Sequence, residues 1–388
     1  MIAVGLMSGT SLDGVDAALV EIVPRGAGYR VDLLQFETVP FDTDLRRALS
    51  AALAPNEGSI AVAAALHRAL GETFGRAALS VAGRAQPRYV ASHGQTVWHD
   101  GRRSVTLQLG DAFAIREIVR ATVCYDFRSA DCAAGGQGAP LVPYADVLLF
   151  GDCAEDRVAL NLGGIANVTL MPAGAAPQSI TGFDTGPANM LLDALVRERT
   201  GGAQAYDRDG AMAASGAVDT SLLEALLADD YFAQTPPKTT GRERFGAHFL
   251  ARHSERIGRL RTEDALATLV ELTAATVAEA VAAAGLTAAH VIVAGGGARN
   301  AALMRRITER LPDARLETSD AMGIAADAKE AVAFALLGYE TLRGRTGNVP
   351  AVTGASHAVV LGAIAPRDLT ALLAEIASEV AQSAEVRS

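Results

Sequence analysis

The sequence predicts an α/β protein made of two related domains, and three observations support this fold class. At 388 residues the chain is long enough to form two hydrophobic cores. Segments typical of strands alternate with segments of helical periodicity along most of its length. A strand, a glycine turn and a returning strand occur twice, around Gly9 and again around Gly164. This repetition indicates two related halves, each offering one turn to a shared ligand.

Composition excludes several classes of protein. The formal net charge of −10 argues against nucleic acid or an anionic membrane as the main partner. No uninterrupted apolar run approaches a membrane span, and no basic segment precedes an apolar stretch at the N-terminus. The three cysteines are too widely spaced for a Cys-x-x-Cys motif, and their odd number does not suit a disulfide framework. We therefore expect a soluble cytoplasmic protein with reduced cysteines.

The opening stretch predicts a β-hairpin. Two apolar runs, Ile2–Met7 and Val15–Val23, flank a turn rich in glycine and small hydroxyl residues. Small residues allow backbone N–H groups to approach a phosphate closely. The turn lacks the Gly-Lys-Ser/Thr of a Walker loop, and a strand rather than a helix follows it. The stretch alone fits either a phosphate-binding hairpin or an ordinary hairpin with a polar turn.

The next segments predict further strands and helices in the first half. A strand over Tyr29–Val39 extends the hairpin to a β-meander. Helical patterns follow over 42–54, 59–79 and 111–119, and short strands over 88–92, 104–109 and 121–125.

Two polar clusters follow strands of this half. His93, Gln95 and Thr96 come directly after the strand that ends at residue 92. Open α/β sheets bind ligands at the carboxyl ends of their strands, although a polar loop would give the same pattern. Asp126, Arg128 and Asp131 follow the strand 121–125, before a glycine-rich loop over 135–138. These charged residues form either a plain ion-pair cluster or, together with the loop, a wall of the substrate site or a hinge.

A single carboxylate stands out in the second half. The strand–turn–strand repeat covers residues 156–169, and another strand begins at Ser179 and reaches Asp184. A helix over 190–196 follows, and Pro187 suits its first turn. Asp184 is therefore either a helix cap or a catalytic carboxylate.

The remaining segments predict a strand–glycine–helix unit and two further helices. A long helix over 262–284 leads to a strand over 290–294, three glycines and a helix over 301–311. Glycine at such a turn lets the backbone lie against a ribose or a base. A strand over 315–318, a helix over 328–339 and a C-terminal amphipathic helix over 368–381 complete the pattern.

Seven motifs, in order along the chain, resemble the signature of the bacterial 1,6-anhydro-N-acetylmuramic acid kinases. They cover residues 5–16, 92–96, 126–128, 161–167, 183–187, 236–238 and 295–300. The family belongs to the acetate and sugar kinase, Hsp70 and actin superfamily. The resemblance implies two related domains of the actin-like ATPase fold with ATP in a central cleft. It further implies one lobe of residues 1–130 plus 345–388 and a second lobe of residues 131–344.

The resemblance also implies roles for individual residues. The two glycine turns and the triple-glycine loop become the ATP site: Gly9, Thr10, Ser11, Leu12, Asp13, Gly14, Val15, Asp16, Gly163, Gly164, Asn167, Gly295, Gly296, Gly297 and Asn300. The polar clusters become the sugar site: His93, Gln95, Thr96, Asp126 and Arg128. Asp184 becomes the general base, Glu330 a second catalytic candidate, and Asp13 a ligand of Mg²⁺.

The implied reaction opens the 1,6-anhydro ring of anhydro-N-acetylmuramic acid and phosphorylates O6, in peptidoglycan recycling. The substrates would be this sugar, ATP and water, and the protein is expected to be a homodimer. Two other functions remain open from the residues. One is a superfamily kinase for a different sugar or a carboxylate, and the other is a nucleotide-switched chaperone or filament protein.

Overall fold

The computed structural model describes residues 1–9, 12–25, 28–53 and 58–385, which divide into two compact units. The first unit comprises Met1–Leu149, Pro177–Ser179 and Ala328–Ser388; the second comprises Phe150–Ala176 and Ile180–Asp327. The predicted lobe boundaries differ from this division, because residues 131–149, 177–179 and 328–344 fall in the first unit. Residues 328–344 belong to the first unit because the helix that begins at residue 329 packs on the first sheet.

The first unit contains a seven-stranded sheet. Its strands are β1 (Ile2–Ser8), β2 (Gly14–Arg25), β3 (Gly28–Pro40), β4 (Tyr89–Asp100), β5 (Val105–Leu109), β6 (Thr122–Tyr125) and β12 (Ala363–Ala365). They are arranged in the order β12-β6-β4-β1-β2-β3, with β5 paired to β4. β1, β2 and β3 form an antiparallel meander, as predicted, whereas β1–β4 and β4–β6 are parallel pairs.

The helices of this unit pack on both faces of its sheet. They are α1 (Thr43–Ala52), α2 (Ile60–Ala82), α3 (Ala112–Val119), α4 (Ser129–Ala133), α5 (Val142–Phe150), α14 (Lys329–Leu342), α15 (Pro350–Thr353) and α16 (Leu369–Glu385). Asp42, Ser59 and Asp111 cap α1, α2 and α3 with their side-chain oxygens, which explains why these three helices begin where the sequence predicts. The sequence analysis did not predict α4, α5 or α15.

Glycine allows α14 to approach the sheet closely. A Cβ at Gly5 would lie 1.8 Å from the carbonyl oxygen of Ala331, and one at Gly338 would lie 2.7 Å from Ala91 Cβ. The hydroxyl of Tyr89 on β4 donates to the carbonyl of Ala335 at 2.7 Å. These contacts fix the position of α14 on β1 and β4, and thereby the position of its first turn.

The second unit contains a five-stranded sheet with the same arrangement. Its strands are β7 (Arg157–Leu162), β8 (Ile165–Met171), β9 (Thr181–Pro187), β10 (His290–Ala294) and β11 (Arg315–Thr318). The order is β11-β10-β7-β8-β9; β7–β8 and β8–β9 are antiparallel, whereas β7–β10 and β10–β11 are parallel. The order and directions match those of β6-β4-β1-β2-β3 in the first unit. The prediction of two related α/β domains is therefore confirmed.

Eight helices of the described residues lie in the second unit. They are α6 (Asn189–Arg199), α7 (Ala211–Ala214), α8 (Thr220–Leu227), α9 (Arg242–Phe245), α10 (Ala247–Arg252), α11 (Ser254–Gly258), α12 (Thr262–Ala283) and α13 (Ala301–Arg310). Among the described residues, α12 is the one helix long and apolar enough to span a membrane. Of its apolar 18-residue stretch, 83% is buried inside the protein. It contributes a large part of the core of this unit.

Two strands extend beyond their predicted ends. β4 continues to residue 100 because β5 pairs with its residues 95–100 in antiparallel fashion. β9 continues through Asp184 to Pro187, which the sequence analysis wrongly placed in the first turn of the following helix. β9 is the edge strand of its sheet, where proline is tolerated because no ladder hydrogen bond requires its missing N–H.

Replacing Gly5 by alanine tests the contact between β1 and α14. The added Cβ would overlap the backbone of Ala331, so we expect the free energy of unfolding to fall by about 1–3 kcal/mol. Gly28→Ala is the matched control in the same sheet, because its Cβ would meet its nearest atom at 3.5 Å. We expect that variant to change stability by less than about 0.5 kcal/mol. Urea unfolding followed by circular dichroism measures both, and equal effects would contradict the prediction.

Candidate active site

The first glycine turn joins β1 to β2 and is tied to β4. Ser8 Oγ lies 2.8 Å from the carbonyl oxygen of Gly14 and 2.7 Å from Gln95 Oε1. Gln95 Nε2 donates to the carbonyl of Gly9 at 3.1 Å. Gln95, which the sequence analysis assigned to the sugar, is therefore buried and braces the turn predicted to hold phosphate.

The other residues of this turn predicted to bind ATP differ in the exposure of their side chains. The side chains of Leu12 and Val15 are buried in the core, so only their backbone can serve a ligand. Asp13 is exposed, and Asp16 accepts a hydrogen bond from Thr38 Oγ1 at 2.6 Å. Two predicted ATP-binding residues lie outside the described residues, namely Thr10 and Ser11.

The second glycine turn joins β7 to β8 and is fixed by the start of α6. The backbone N–H of Asn189 donates to the carbonyl of Gly163 at 3.1 Å, and that of Ala188 donates to the carbonyl of Gly164 at 2.9 Å. Gly164 is exposed to solvent. The turn thus has a defined shape and an open face, as a phosphate-binding turn requires.

Three polar side chains lie side by side across the second sheet. Asn161 on β7 pairs in register with Asn167 on β8, and Asn167 pairs with Asp184 on β9. Directly opposed residues of antiparallel strands project from the same face of a sheet. All three are half-buried. Sequence reasoning selected Asn167 and Asp184 but missed Asn161, which only the register connects to the other two.

The carboxylate of Asp184 is held by a loop that follows α8. The backbone N–H of Thr240 donates to Asp184 Oδ2 at 2.8 Å, and the hydroxyl of Tyr231 donates to the carbonyl of Asp184 at 2.7 Å. The ammonium of Lys238 lies 4.8 Å from the centroid of the Tyr231 ring. Burial lowers the pKa of Lys238, while the charge of Glu279 opposes that shift. The Pro236-Pro237-Lys238 motif was the signal for this loop, although its role could not be read from the sequence.

The triple-glycine loop after β10 packs on the end of β7. Gly295 has φ +83°, and a Cβ there would lie 2.9 Å from the carbonyl oxygen of Leu162; a Cβ at Gly297 would lie 2.6 Å from Leu162 Cβ. Gly296 is exposed beside them. Asn300 is buried, and its Oδ1 caps α13 by accepting from the N–H of Leu303 at 3.0 Å. The side chain of Asn300 thus has a structural role in this loop.

His93 is the centre of the polar cluster in the first unit. Its ring is buried 4.7 Å from the Phe334 ring, and its Nε2 accepts from Arg128 Nε at 2.9 Å. Its Nδ1 lies 2.8 Å from the carbonyl oxygen of Gly94, so Nδ1 carries the proton. Burial, reinforced by the charge of Arg128, holds the pKa of His93 well below its ordinary value. His93 is therefore a neutral acceptor that orients a cation.

Arg128 and Glu330 form the charged part of this cluster. Arg128 Nη1 donates to the carbonyl of Gly138 at 2.7 Å. Burial lowers the pKa of Arg128 to about 10, against the opposing charge of Glu330. Burial also raises the pKa of Glu330, an effect that the charges of Lys329 and Arg128 reduce. Within the described residues the Glu330 carboxylate accepts no hydrogen bond, which leaves it available to a ligand.

The two other predicted sugar-binding residues are held by local hydrogen bonds. Thr96 Oγ1 accepts from Gln108 Nε2 at 3.2 Å. Asp126 has φ +52°, and its Oδ1 accepts from Ser129 Oγ at 2.6 Å at the start of α4. The first unit therefore brings His93, Arg128 and Glu330 together, and the second unit brings Asp184 beside Asn161 and Asn167.

Comparison of the sequence with a family model and with curated proteins identifies one family. The sequence model described as "Anhydro-N-acetylmuramic acid kinase" matches residues 1–367. Curated proteins of that name from Streptomyces coelicolor and Xanthomonas axonopodis pv. citri are 45% and 46% identical over 373 and 371 residues. These matches cover 94% and 93% of this chain and 94% and 97% of the two relatives. A third, from Caldanaerobacter subterraneus subsp. tengcongensis, is 39% identical over 94% of this chain and 96% of its own length.

The depressed pKa of His93 predicts a contribution to acid destabilisation. The unfolded chain binds a proton at His93 near pH 6.5, whereas the folded protein does not, so the free energy of unfolding falls as pH drops below about 6.5. His93→Gln should make this fall shallower by up to about 1.4 kcal/mol per pH unit. His248→Gln, at an exposed position, is the control for the loss of a histidine side chain. Urea unfolding between pH 5 and 7 measures all three proteins, and an unchanged slope in His93→Gln would contradict the assignment.

Proposed function

The chain belongs to the anhydro-N-acetylmuramic acid kinase family, and on this premise we propose how its residues carry out the reaction of that family. The enzyme transfers phosphate from ATP to an amino sugar in peptidoglycan recycling. The substrate is anhydro-N-acetylmuramic acid, and the product is N-acetylmuramic acid 6-phosphate. The observation that carries this function is the family match over residues 1–367.

Asp184 is the proposed general base. Water attacks C1 of the sugar, the bond from C1 to O6 breaks, and the Asp184 carboxylate takes the proton of the water. The released O6 attacks the γ-phosphate, and ADP leaves. A carboxylate suits this role because it can hold a water on the face opposite the departing oxygen. Support comes from the half-buried position of Asp184 and from the N–H of Thr240, which orients its carboxylate.

The two glycine turns are proposed to bind the phosphates of ATP. Phosphoryl transfer needs alignment and neutralisation of charge more than covalent assistance from the protein. Backbone N–H groups of residues 9–13 and of Gly163 and Gly164 would supply part of this. Gly295, Gly296 and Gly297 are proposed to contact the adenosine. The side chain of Asn300 already caps α13, so its contribution to this site would be to hold the loop.

Mg²⁺ is proposed to accompany ATP. Among the described residues there is no group of three or more His, Cys, Asp or Glu side chains that could hold a metal ion. This fits Mg²⁺, which is usually held by one or two carboxylates together with water and substrate phosphates. The exposed carboxylate of Asp13, beside the first turn, is the proposed protein ligand. When bound, the ion would neutralise charge on the phosphates.

The polar cluster of the first unit is proposed to bind the sugar. Arg128 would bind the lactyl carboxylate through Nη1 and Nη2, because His93 occupies its Nε. Thr96 and Asp126 would contact the sugar hydroxyls. Glu330 would face the attacking water or the metal. Gln95, which is buried against the first turn, would support the phosphate site.

Two further properties follow from this reaction as proposals. A cytoplasmic location suits an enzyme whose co-substrate is ATP. A homodimer remains a prediction, since closed dimers are the commonest assembly of soluble proteins.

Asp184→Asn tests the assignment of the base. The amide can still accept from the N–H of Thr240 but cannot take a proton, so we expect turnover to fall by about 10²–10⁴-fold. Binding of ATP, measured by calorimetry, should be unchanged. Asp313→Asn, an exposed carboxylate of the same unit, serves as the control and should retain full activity. Near-normal turnover in Asp184→Asn would rule out this base.

Labelled water tests the reaction itself. With ¹⁸O-labelled water, ATP and anhydro-N-acetylmuramic acid, mass spectrometry should find one ¹⁸O at C1 and an unlabelled phosphate at O6. This outcome follows because water opens the ring while O6 stays with the sugar. Without ATP, no phosphorylated product should form. Label in the phosphate, or no product from this sugar, would contradict the proposed reaction.

A further inference from the structure

The glycine-rich loop over residues 135–138 is folded around one buried carboxylate. Asp131 has no exposed surface. Its Oδ2 accepts from the backbone N–H of Gly138 at 2.8 Å. Its Oδ1 accepts from Asn348 Nδ2 at 2.7 Å and from Thr353 Oγ1 at 2.6 Å. Asp131 therefore connects this loop to the segment that contains α15.

The glycines of the loop are needed for this arrangement. A Cβ at Gly136 would lie 2.2 Å from Asp131 Oδ2, so any larger residue would displace the carboxylate. Gly138 has φ +74°, and a Cβ there would lie 2.7 Å from Cys132 Sγ. Contacts with Asp131 therefore fix the path of the loop, which does not behave as a free hinge.

Gly138 connects the buried carboxylate of Asp131 to the guanidinium of Arg128 in the polar cluster. Its N–H is bound by Asp131, and its carbonyl accepts from Arg128 Nη1 at 2.7 Å. Arg128 Nε is held by His93. Because two acceptors in different segments bind two nitrogens of the guanidinium, the plane of that group is fixed before any ligand arrives. Nη2 makes no hydrogen bond within the described residues.

We propose that Asp131 is a positioning residue that sets the orientation of the Arg128 guanidinium through Gly138, and so the preference of the enzyme for a sugar bearing a carboxylate. The inference rests on the proposed function, in which Arg128 binds the lactyl carboxylate. Without Asp131 the N–H of Gly138 loses its acceptor, and the carbonyl that orients Arg128 moves. The guanidinium of Arg128 then keeps its charge but is wrongly oriented toward the lactyl carboxylate. Binding of that carboxylate by Nη1 and Nη2 together is therefore weaker.

Asp131→Leu and Gly138→Ala test the two links of this connection. Leucine keeps the branched shape and the number of heavy atoms but removes the acceptor, and alanine displaces the loop while the carboxylate remains. For each we expect the KM for anhydro-N-acetylmuramic acid to rise by about 10- to 100-fold, with little change in kcat or in the KM for ATP. Affinity for 1,6-anhydro-N-acetylglucosamine, which lacks the lactyl group, should stay constant in calorimetric titrations. The preference for the carboxylated sugar should therefore fall by the same factor.

Thr353→Val is the matched control, because it removes a hydrogen bond from Asp131 Oδ1 and leaves the bond from Oδ2 to Gly138. It should lower the melting temperature without changing the preference between the two sugars. If Asp131→Leu does not fold, Gly138→Ala gives the same test through the second link. A preserved preference in the folded variants would overturn the inference.

Arg128→Lys separates this inference from the proposed function. Lysine keeps the charge but not the planar fork, so the preference for the carboxylated sugar should fall. If Arg128→Lys loses the preference while Asp131→Leu and Gly138→Ala keep it, the positioning role is wrong and the assignment of Arg128 stands. If Arg128→Lys keeps the preference, the assignment of Arg128 fails, and the inference fails with it.

Discussion

The close contact between Gly5 on β1 and Ala331 on α14 is the constraint on which the first unit depends. A side chain at Gly5 would overlap the helix backbone, so glycine alone allows α14 to lie directly on the central strand. That approach fixes the first turn of α14, where Glu330 interacts with the charge of Arg128. It also places Phe334 against the ring of His93. A packing constraint between the sheet and α14 thus determines the geometry of the polar cluster.

Burial gives that cluster its electrostatic character. His93 remains neutral and serves as an acceptor, because burial and the adjacent Arg128 both disfavour its charged form. The same burial lowers the pKa of Arg128 and raises that of Glu330, so an anionic ligand would relieve part of the cost of burying the guanidinium. In the second unit, by contrast, Asp184 lies on a half-buried sheet face beside two amides, with its carboxylate bound by a backbone N–H. These environments support the proposed binding role of Arg128 and the proposed proton-accepting role of Asp184.

Sequence reasoning was most successful where local signals are strong. The helical patterns over 42–54, 59–79 and 111–119 located α1, α2 and α3, each of which begins at a side-chain cap, and the glycine turns located both hairpins. It failed where pairing partners are distant in sequence. β4 continues through polar residues because β5 pairs with it, and β9 includes Pro187 because an edge strand tolerates proline. The short helices α4, α5 and α15 carry too few periodic residues to be distinguished from loops.

The sequence by itself determined the family, the two related α/β units, and the motifs that carry the candidate residues, because these depend on residue type and local order. Tertiary structure alone decided which of those residues lie close together. Strand register brought Asn161 beside Asn167 and Asp184, and helix packing brought Glu330 to Arg128. It also showed that Gln95 bonds the carbonyl of Gly9 and that Asn300 caps α13, and it showed the glycine-rich loop to be built around Asp131. These relations join residues far apart in the chain, which no local pattern encodes.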